Sequence, residues 1–230
     1  MHKLNRRTTL AAIGGVFAMP LYAHSVTELE QEFGARERYF QAIDKATPDF
    51  TLSDADAKIH RPADFAGKVV ILHFIYTSCT DVCPLHAEKL ADVQDKVNQT
   101  PMADLVEFVS ITTDPRNDTP EVLKEYGPVH GLNPVNWTFL TTAPGQPEDT
   151  TRKLAMAFGH KFDVADDGTQ MHGIVTHVID KTGRWRANFH GLDFETVNMV
   201  LLVNAMSNDY DKPQDRGESG LWGQFKALFN

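Results

Sequence analysis

Val69-Val70-Ile71-Leu72-His73-Phe74-Ile75-Tyr76, followed at once by Thr77-Ser78-Cys79-Thr80-Asp81-Val82-Cys83-Pro84, is the stretch that decides the fold. The first eight residues are a continuous apolar run of strand length, the mark of a central strand covered on both faces. Beyond it the period changes. His86, Leu90, Val93 and Val97 recur at helical spacing, and Pro84 suits a first helical turn, where an N–H has no intrahelical partner to lose. The two cysteines therefore stand where a buried strand hands over to a helix.

Working outward, Val106 to Thr112 reads as a second apolar strand. Asp114 to Asp118 then forms a turn, and Thr119-Pro120-Glu121 opens a helix running to about Tyr126. Trp137 to Thr141 is a third strand and Thr150 to Phe158 a short helix. Ile174 to Ile179 and Trp185 to Phe189 are strands joined by Asp180-Lys181-Thr182-Gly183, a hairpin connection, and Phe194 to Met206 closes with a helix. Upstream, Pro48 to Leu52 reads as a short strand. Ser25 and Glu28 have the spacing of a capping box, with Val26, Leu29, Phe33, Tyr39 and Phe40 behind them as a loosely amphipathic helix. Strand, helix, strand, helix, strand, then a strand hairpin and a helix, with paired cysteines after an early strand, fits an α/β, thioredoxin-like three-layer sandwich. The expected layout is a helical extension over 24–45, the domain over 46–207, and a polar linker with an amphipathic tail over 208–230. In that tail Leu221, Trp222, Phe225, Leu228 and Phe229 could share one helical face, which more often docks on its own domain than elsewhere.

The chain has 230 residues, 42% hydrophobic and 23% charged, enough for one domain that buries a sizeable core without staples. With 22 basic against 31 acidic residues its formal charge is -9, and no long basic run could follow a phosphate backbone, so a nucleic-acid partner is not expected. Residues 1–23 place Lys3, Arg6 and Arg7 before an apolar run from Leu10 to small Ala23. That is the pattern of an export signal, and the adjacent arginines resemble a twin-arginine address for proteins exported folded. The 14-residue run, holding Gly14, Gly15 and Pro20, falls short of the roughly 20 residues of a spanning helix. The expected location is thus exported and periplasmic, with a tether to the inner membrane if the signal is not cleaved. Cleavage after Ala23 would leave His24 as the new terminus and a more acidic chain, 19 basic against 31 acidic residues.

Cys79 and Cys83 are the sole cysteines in a chain that needs no disulfide for stability, which points to chemistry. Four residues apart, they can close a disulfide or hold one soft metal ion, and the helix N-terminus beside them favours thiolate. Two thiolates rarely complete a site alone; histidine is the natural third ligand for copper or zinc. Of ten histidines, His172 is the best placed, at the start of the Ile174 to Ile179 strand after the Asp166-Asp167-Gly168-Thr169-Gln170 stretch, where a side chain can swing over a site. His177 on that strand and His73 in the buried strand read as structural, and His60, His86, His130, His160 and His190 as surface or packing residues. Arg116 and Asp118 read as a partner-facing or supporting loop. A peroxidase is disfavoured because Tyr76 stands where a proline would be needed.

Pro48-Asp49-Phe50-Thr51-Leu52, Gly67-Lys68-Val69-Val70, Thr77-x-Cys79-x-x-x-Cys83-Pro84, Ser110-Ile111-Thr112 with Asp114-Pro115-Arg116-x-Asp118-Thr119-Pro120, Asn136-Trp137-x-Phe139-Leu140-Thr141, and His172 eight residues before Asp180 belong together. Over about residues 46 to 206 they resemble the Sco/SenC family, thioredoxin-fold copper proteins involved in assembling the CuA centre of cytochrome c oxidase. The resemblance implies copper held by Cys79, Cys83 and His172, a copper-accepting partner such as an oxidase subunit, and a thiol reductant for a redox-active cysteine pair. Two positions depart from the family pattern: Thr80 stands where proline is common and Met171 where aspartate is common. The expected function is a copper metallochaperone. The alternative is a thiol-disulfide oxidoreductase that keeps an acceptor's cysteines reduced.

Overall fold

A continuous apolar run with no polar face can be satisfied only by cover on both sides, and the strand carrying Val69 to Ile75 has it: all seven residues are buried. The computed structural model describes residues 25–164 and 170–208, leaving the side chains of residues 163–172 undescribed. In chain order the elements are α1 (Val26–Arg36), β1 (Phe40–Ala46), β2 (Leu52–Ser53), β3 (Ile59–His60), β4 (Val69–Ile75), α2 (Val82–Asn98), β5 (Val106–Thr112), α3 (Pro120–Val129), β6 (Trp137–Thr142), α4 (Thr150–Ala157), β7 (Phe162–Val164), β8 (Gln170–His172), β9 (Val175–Ile179), β10 (Arg184–His190) and α5 (Thr196–Ser207). Eight strands form one sheet in the order β1-β10-β9-β4-β5-β6-β2-β3, while β7 and β8 pair by themselves. The centre, β4-β5-β6, is parallel, and β9, β10 and β1 extend it antiparallel on one side.

Alternation along the strands builds the two cores. Val69, Ile71 and Ile75 of β4, with Val106 and Phe108 of β5, meet the inner faces of α1, α2, α3 and α5. Val70, Leu72 and Phe74, with Val109 and Ile111, turn the other way onto α4 and Phe50. Two parallel crossovers in the same direction place α2 and α3 on one face, as the right-handed rule requires. The result is the three-layer α/β, thioredoxin-like sandwich. On β10, Trp185 and Ala187 serve opposite cores despite a separation of two. An irregularity in the pairing with β9 between them turns the strand over.

The amino-terminal part differs from expectation. The capping box of Ser25 and Glu28 is formed, but the helix stops at Arg36, and Phe40–Ala46 is a strand instead of a continuation of a helical extension. Phe40 pairs with Phe189, so the segment is an edge strand of the main sheet. Tertiary pairing with β10 overrides a weak helical spacing, and the edge-to-face aromatic contacts Phe33–Phe40 and Phe40–Phe189 tie helix and strand to the same core. Among the described residues no helix is long and apolar enough to cross a membrane. The signal segment 1–23, His24, most of the Asp166 to Gln170 stretch and the tail from Asp209 lie outside the described residues.

Candidate metal centre

Strand β4 ends at Ile75, and the loop that follows turns back so that the Cys79 N–H donates to the Tyr76 carbonyl at 3.2 Å. Helix α2 begins at Val82 with Asp81 at its N-cap, yet the Asp81 side chain caps nothing. The Cys79 sulfur takes that role, accepting the Cys83 N–H at 3.4 Å. Cys79 thus sits on the positive end of the helix, and Cys83 in its first turn. Both are free thiols, 7% and 5% exposed, and they form a small cluster with Tyr76 and Val82.

The two thiols are unequal. Burial works to raise Cys79, but hydrogen bonds from the Cys83 thiol and from the backbone N–H groups of Cys83 and Asp81 outweigh it and hold Cys79 below the ordinary thiol range. Burial pushes Cys83 up to about 12, opposed by a backbone hydrogen bond at Tyr76 and reinforced by the charges of Cys79 and Asp118. The first of the two thiols to ionise is therefore Cys79.

Asp118 anchors the loop from below. It is fully buried, and both its carboxylate oxygens accept the Thr77 N–H, at 3.1 and 3.2 Å. The hydroxyls of Thr77 and Thr112 donate to it as well. Burial raises its pKa and these hydrogen bonds pull the other way, the burial effect prevailing. Of the two loop residues singled out in the sequence, Asp118 faces inward and organises the cysteine loop, while Arg116 is exposed. Tyr126, on the inner side of α3, is buried with no hydrogen-bond partner for its hydroxyl among the described residues. Its pKa is raised by burial and then by the charges of Cys83, Cys79 and Asp118, so it belongs to the same neighbourhood. Its inward spacing from Leu123 was visible in the sequence; its proximity to the thiols was not.

The histidines divide cleanly. His73 reaches Ser110 Oγ through Nε2 at 2.5 Å, and Trp137 donates to the same oxygen at 2.8 Å. His86 lies beside His73 and meets Thr176 Oγ1 at 2.7 Å. On the other face the Nε2 atoms of His160 and His177 stand 2.9 Å apart, and His177 Nδ1 meets Asn188 Oδ1 at 2.7 Å. These four are core residues, and His60 is packed against Asp54 at 2.8 Å. His172 is not at the start of β9: it ends β8, its backbone opposite Phe162 in the separate β7–β8 hairpin, with Gly173 and Ile174 leading on to β9. Among the described residues no group of three metal-binding side chains converges; the cysteines supply two soft donors, and the side chain of His172 falls outside the description.

A strand, a loop with two buried thiols of unequal acidity, and a helix N-terminus, on a mixed sheet covered on both faces, define a dithiol protein of the thioredoxin-like class. Within that class the chain belongs to the SCO1/SenC family, whose profile matches residues 40–204. It is 33% identical over 155 residues to the SCO2-like protein RP587 of Rickettsia prowazekii, covering 66% of this chain and 73% of that one. Among solved structures it resembles a SCO1/SenC family lipoprotein from Bacillus anthracis, with a TM-score of 0.65 and 24% identity over 73% of this chain and 98% of that one. It also resembles BsSco, described as a member of the Sco family of cytochrome c oxidase assembly proteins with a disulfide switch (TM-score 0.64, 22% identity, 73% and 96% coverage). A further neighbour is yeast Sco1 with copper bound (TM-score 0.60, 22% identity, 79% and 99% coverage).

Proposed function

We propose that this chain is a copper metallochaperone that holds one copper ion as cargo on Cys79, Cys83 and His172 and passes it by ligand exchange to an exported acceptor, the CuA centre of cytochrome c oxidase. The observation that carries the reading is the pair of thiols at the start of α2, Cys79 in the loop and Cys83 in the first turn, with Cys79 held below its ordinary pKa by hydrogen bonds from the Cys83 thiol and from backbone N–H groups at the helix start. A thiol made more acidic yields more readily the thiolate that soft Cu(I) takes, and a second thiol four residues on completes a chelate. His172 ends the strand that precedes β9, on a hairpin of its own, where a two-residue link joins it to the domain. Copper-bound yeast Sco1 and the oxidase-assembly description of BsSco support the cargo and the acceptor. The basic and apolar pattern of residues 1–23 supports a periplasmic place of work, with twin-arginine export.

The inequality of the thiols favours a second reading. A low-pKa thiol beside a buried partner of high pKa is also the arrangement of a thiol-disulfide reductase, in which Cys79 attacks a disulfide and Cys83 resolves the mixed disulfide. Anaerobic titration of the reduced chain with Cu(I) and Cu(II), beside Cys79→Ser, Cys83→Ser and His172→Ala, separates the two. The chaperone reading expects about one copper per chain, a thiolate-to-copper charge-transfer band with Cu(II), and an affinity loss in His172→Ala larger than the roughly 100-fold upper end for outer residues. Copper binding indifferent to His172, alongside reduction of a model disulfide, would hand the function to the reductase reading. A variant unable to bind copper that restores oxidase assembly in cells would do the same.

A further inference from the structure

At the end of the sheet opposite the cysteine loop, on the α4 face, lies an apolar cavity of about 230 Å³. Its walls are Phe50, Phe65, Leu72, Val109 and Ile179, and its rim carries Asp49 and the turn Asp180-Lys181-Thr182-Gly183 between β9 and β10, of which Asp180, Thr182 and Gly183 line the opening. An apolar cavity of about 150 Å³ holds a benzene ring, so this one suits a single larger aromatic side chain and is too small for most drug-sized ligands.

The carboxy-terminal helix leads to the same place. The Ser207 carbonyl at the end of α5 accepts a hydrogen bond from Lys181 Nζ at 2.8 Å, so the chain leaves the domain within one side-chain length of the turn that walls the cavity. Residues 209–220 then separate the exit from Leu221-Trp222-Gly223-Gln224-Phe225-Lys226-Ala227-Leu228-Phe229. Twelve residues reach at most about 40 Å, and a coil of that length averages roughly 20 Å, ample for a path around the turn. A segment tethered so near competes with free ligands at an effective concentration of about the millimolar range. Charge agrees too. Lys226 is the only charged residue of 221–229, and the exposed rim residue Asp49 is acidic.

We infer that the carboxy-terminal segment 221–229 docks on its own domain, with the Trp222 indole filling this cavity and Lys226 facing Asp49. The docked segment covers apolar surface at the far end of the sheet and leaves the cysteine loop open to a partner. The inference does not depend on copper. The test places the photo-crosslinking amino acid p-benzoylphenylalanine at position 222 of the full chain, irradiates it, and maps the crosslinked peptides by mass spectrometry. Crosslinks within one chain to 47–50, 62–66 or 179–183 are expected, and Ala66→Trp, a change at an exposed residue of the mouth, should abolish them. A second reading of the same contact is the melting temperature, which Trp222→Ala should lower by roughly 2–4 °C in the parent chain and leave unmoved in Ala66→Trp. Crosslinks only between chains would assign the cavity to a second copy. Crosslinks elsewhere on the domain, or none, would overturn the inference as well.

Discussion

The most consequential single residue is Cys79, because its sulfur is both the cap of α2 and the thiol whose acidity the fold raises. Between pH 7 and 9 it should be the reacting sulfur, since Cys83 is held near 12. Limited alkylation with iodoacetamide followed by peptide mass analysis should therefore place the label on Cys79 first; dominant labelling of Cys83 would refute the assignment. Asp118 sets the other half of the inequality. Asp118→Asn removes a negative charge near Cys83, so the pH at which Cys83 becomes alkylated should move down. Asp118→Ala strands the Thr77 N–H and the hydroxyls of Thr77 and Thr112. Orphaned buried donors cost about 1–3 kcal/mol each, so a loss of roughly 3 kcal/mol in urea unfolding is expected. That the two cysteines stand where a buried strand hands over to a helix was legible in the sequence. The support from Asp118 was not, because Thr77 and Asp118 are 41 positions apart in sequence and meet only when β4 and β5 lie side by side.

At the scale of elements the amino-terminal segment carries the clearest lesson. Helical spacing across Val26 to Phe40 suggested one amphipathic extension, and the spacing does describe α1, whose Val26, Leu29 and Phe33 are buried. It fails at Phe40, where pairing with Phe189 offers ladder hydrogen bonds and an aromatic contact at 5.3 Å that a helix could not reach. The segment 25–46 should therefore be indispensable. A chain beginning at Pro48 would bare the edge of β10 and one side of the helical core, and should lose near-UV circular dichroism or fail to remain soluble. The milder Phe40→Ala should cost about 3–5 kcal/mol in denaturant unfolding. The β7–β8 hairpin is a second case. His172 was read as standing at the entry to the Ile174 to Ile179 strand, whereas it ends a strand of its own, β8, paired antiparallel with β7, and three-residue strands are too short to leave a period in the sequence.

For the molecule as a whole, one buried histidine makes stability depend on pH. His177 is held neutral, its pKa lowered to about 3 by burial and by the neighbouring His160. In the unfolded chain it titrates near 6.5. Below that pH the unfolded state binds a proton that the folded state refuses, so the contribution is complete above pH 6.5 and is lost as pH falls toward 3. Urea unfolding between pH 6 and 4 should show stability falling with a His177 share of about 1.4 kcal/mol per pH unit, and His177→Gln should flatten the slope by close to one proton. An unchanged slope would mean that the imidazole titrates normally in the fold.

The order of β4, α2, β5, α3, β6, α4, β9, β10 and α5 and the strand-to-helix site of the cysteines were readable along the chain, because each follows from a short-range period or from neighbours within a few residues. Which thiol carries the charge, what holds the loop beneath it, and that Phe40–Ala46 closes the sheet were decided only in three dimensions. Those outcomes rest on burial and on pairings between distant segments, and neither desolvation nor a long-range hydrogen bond leaves a periodic mark in the sequence.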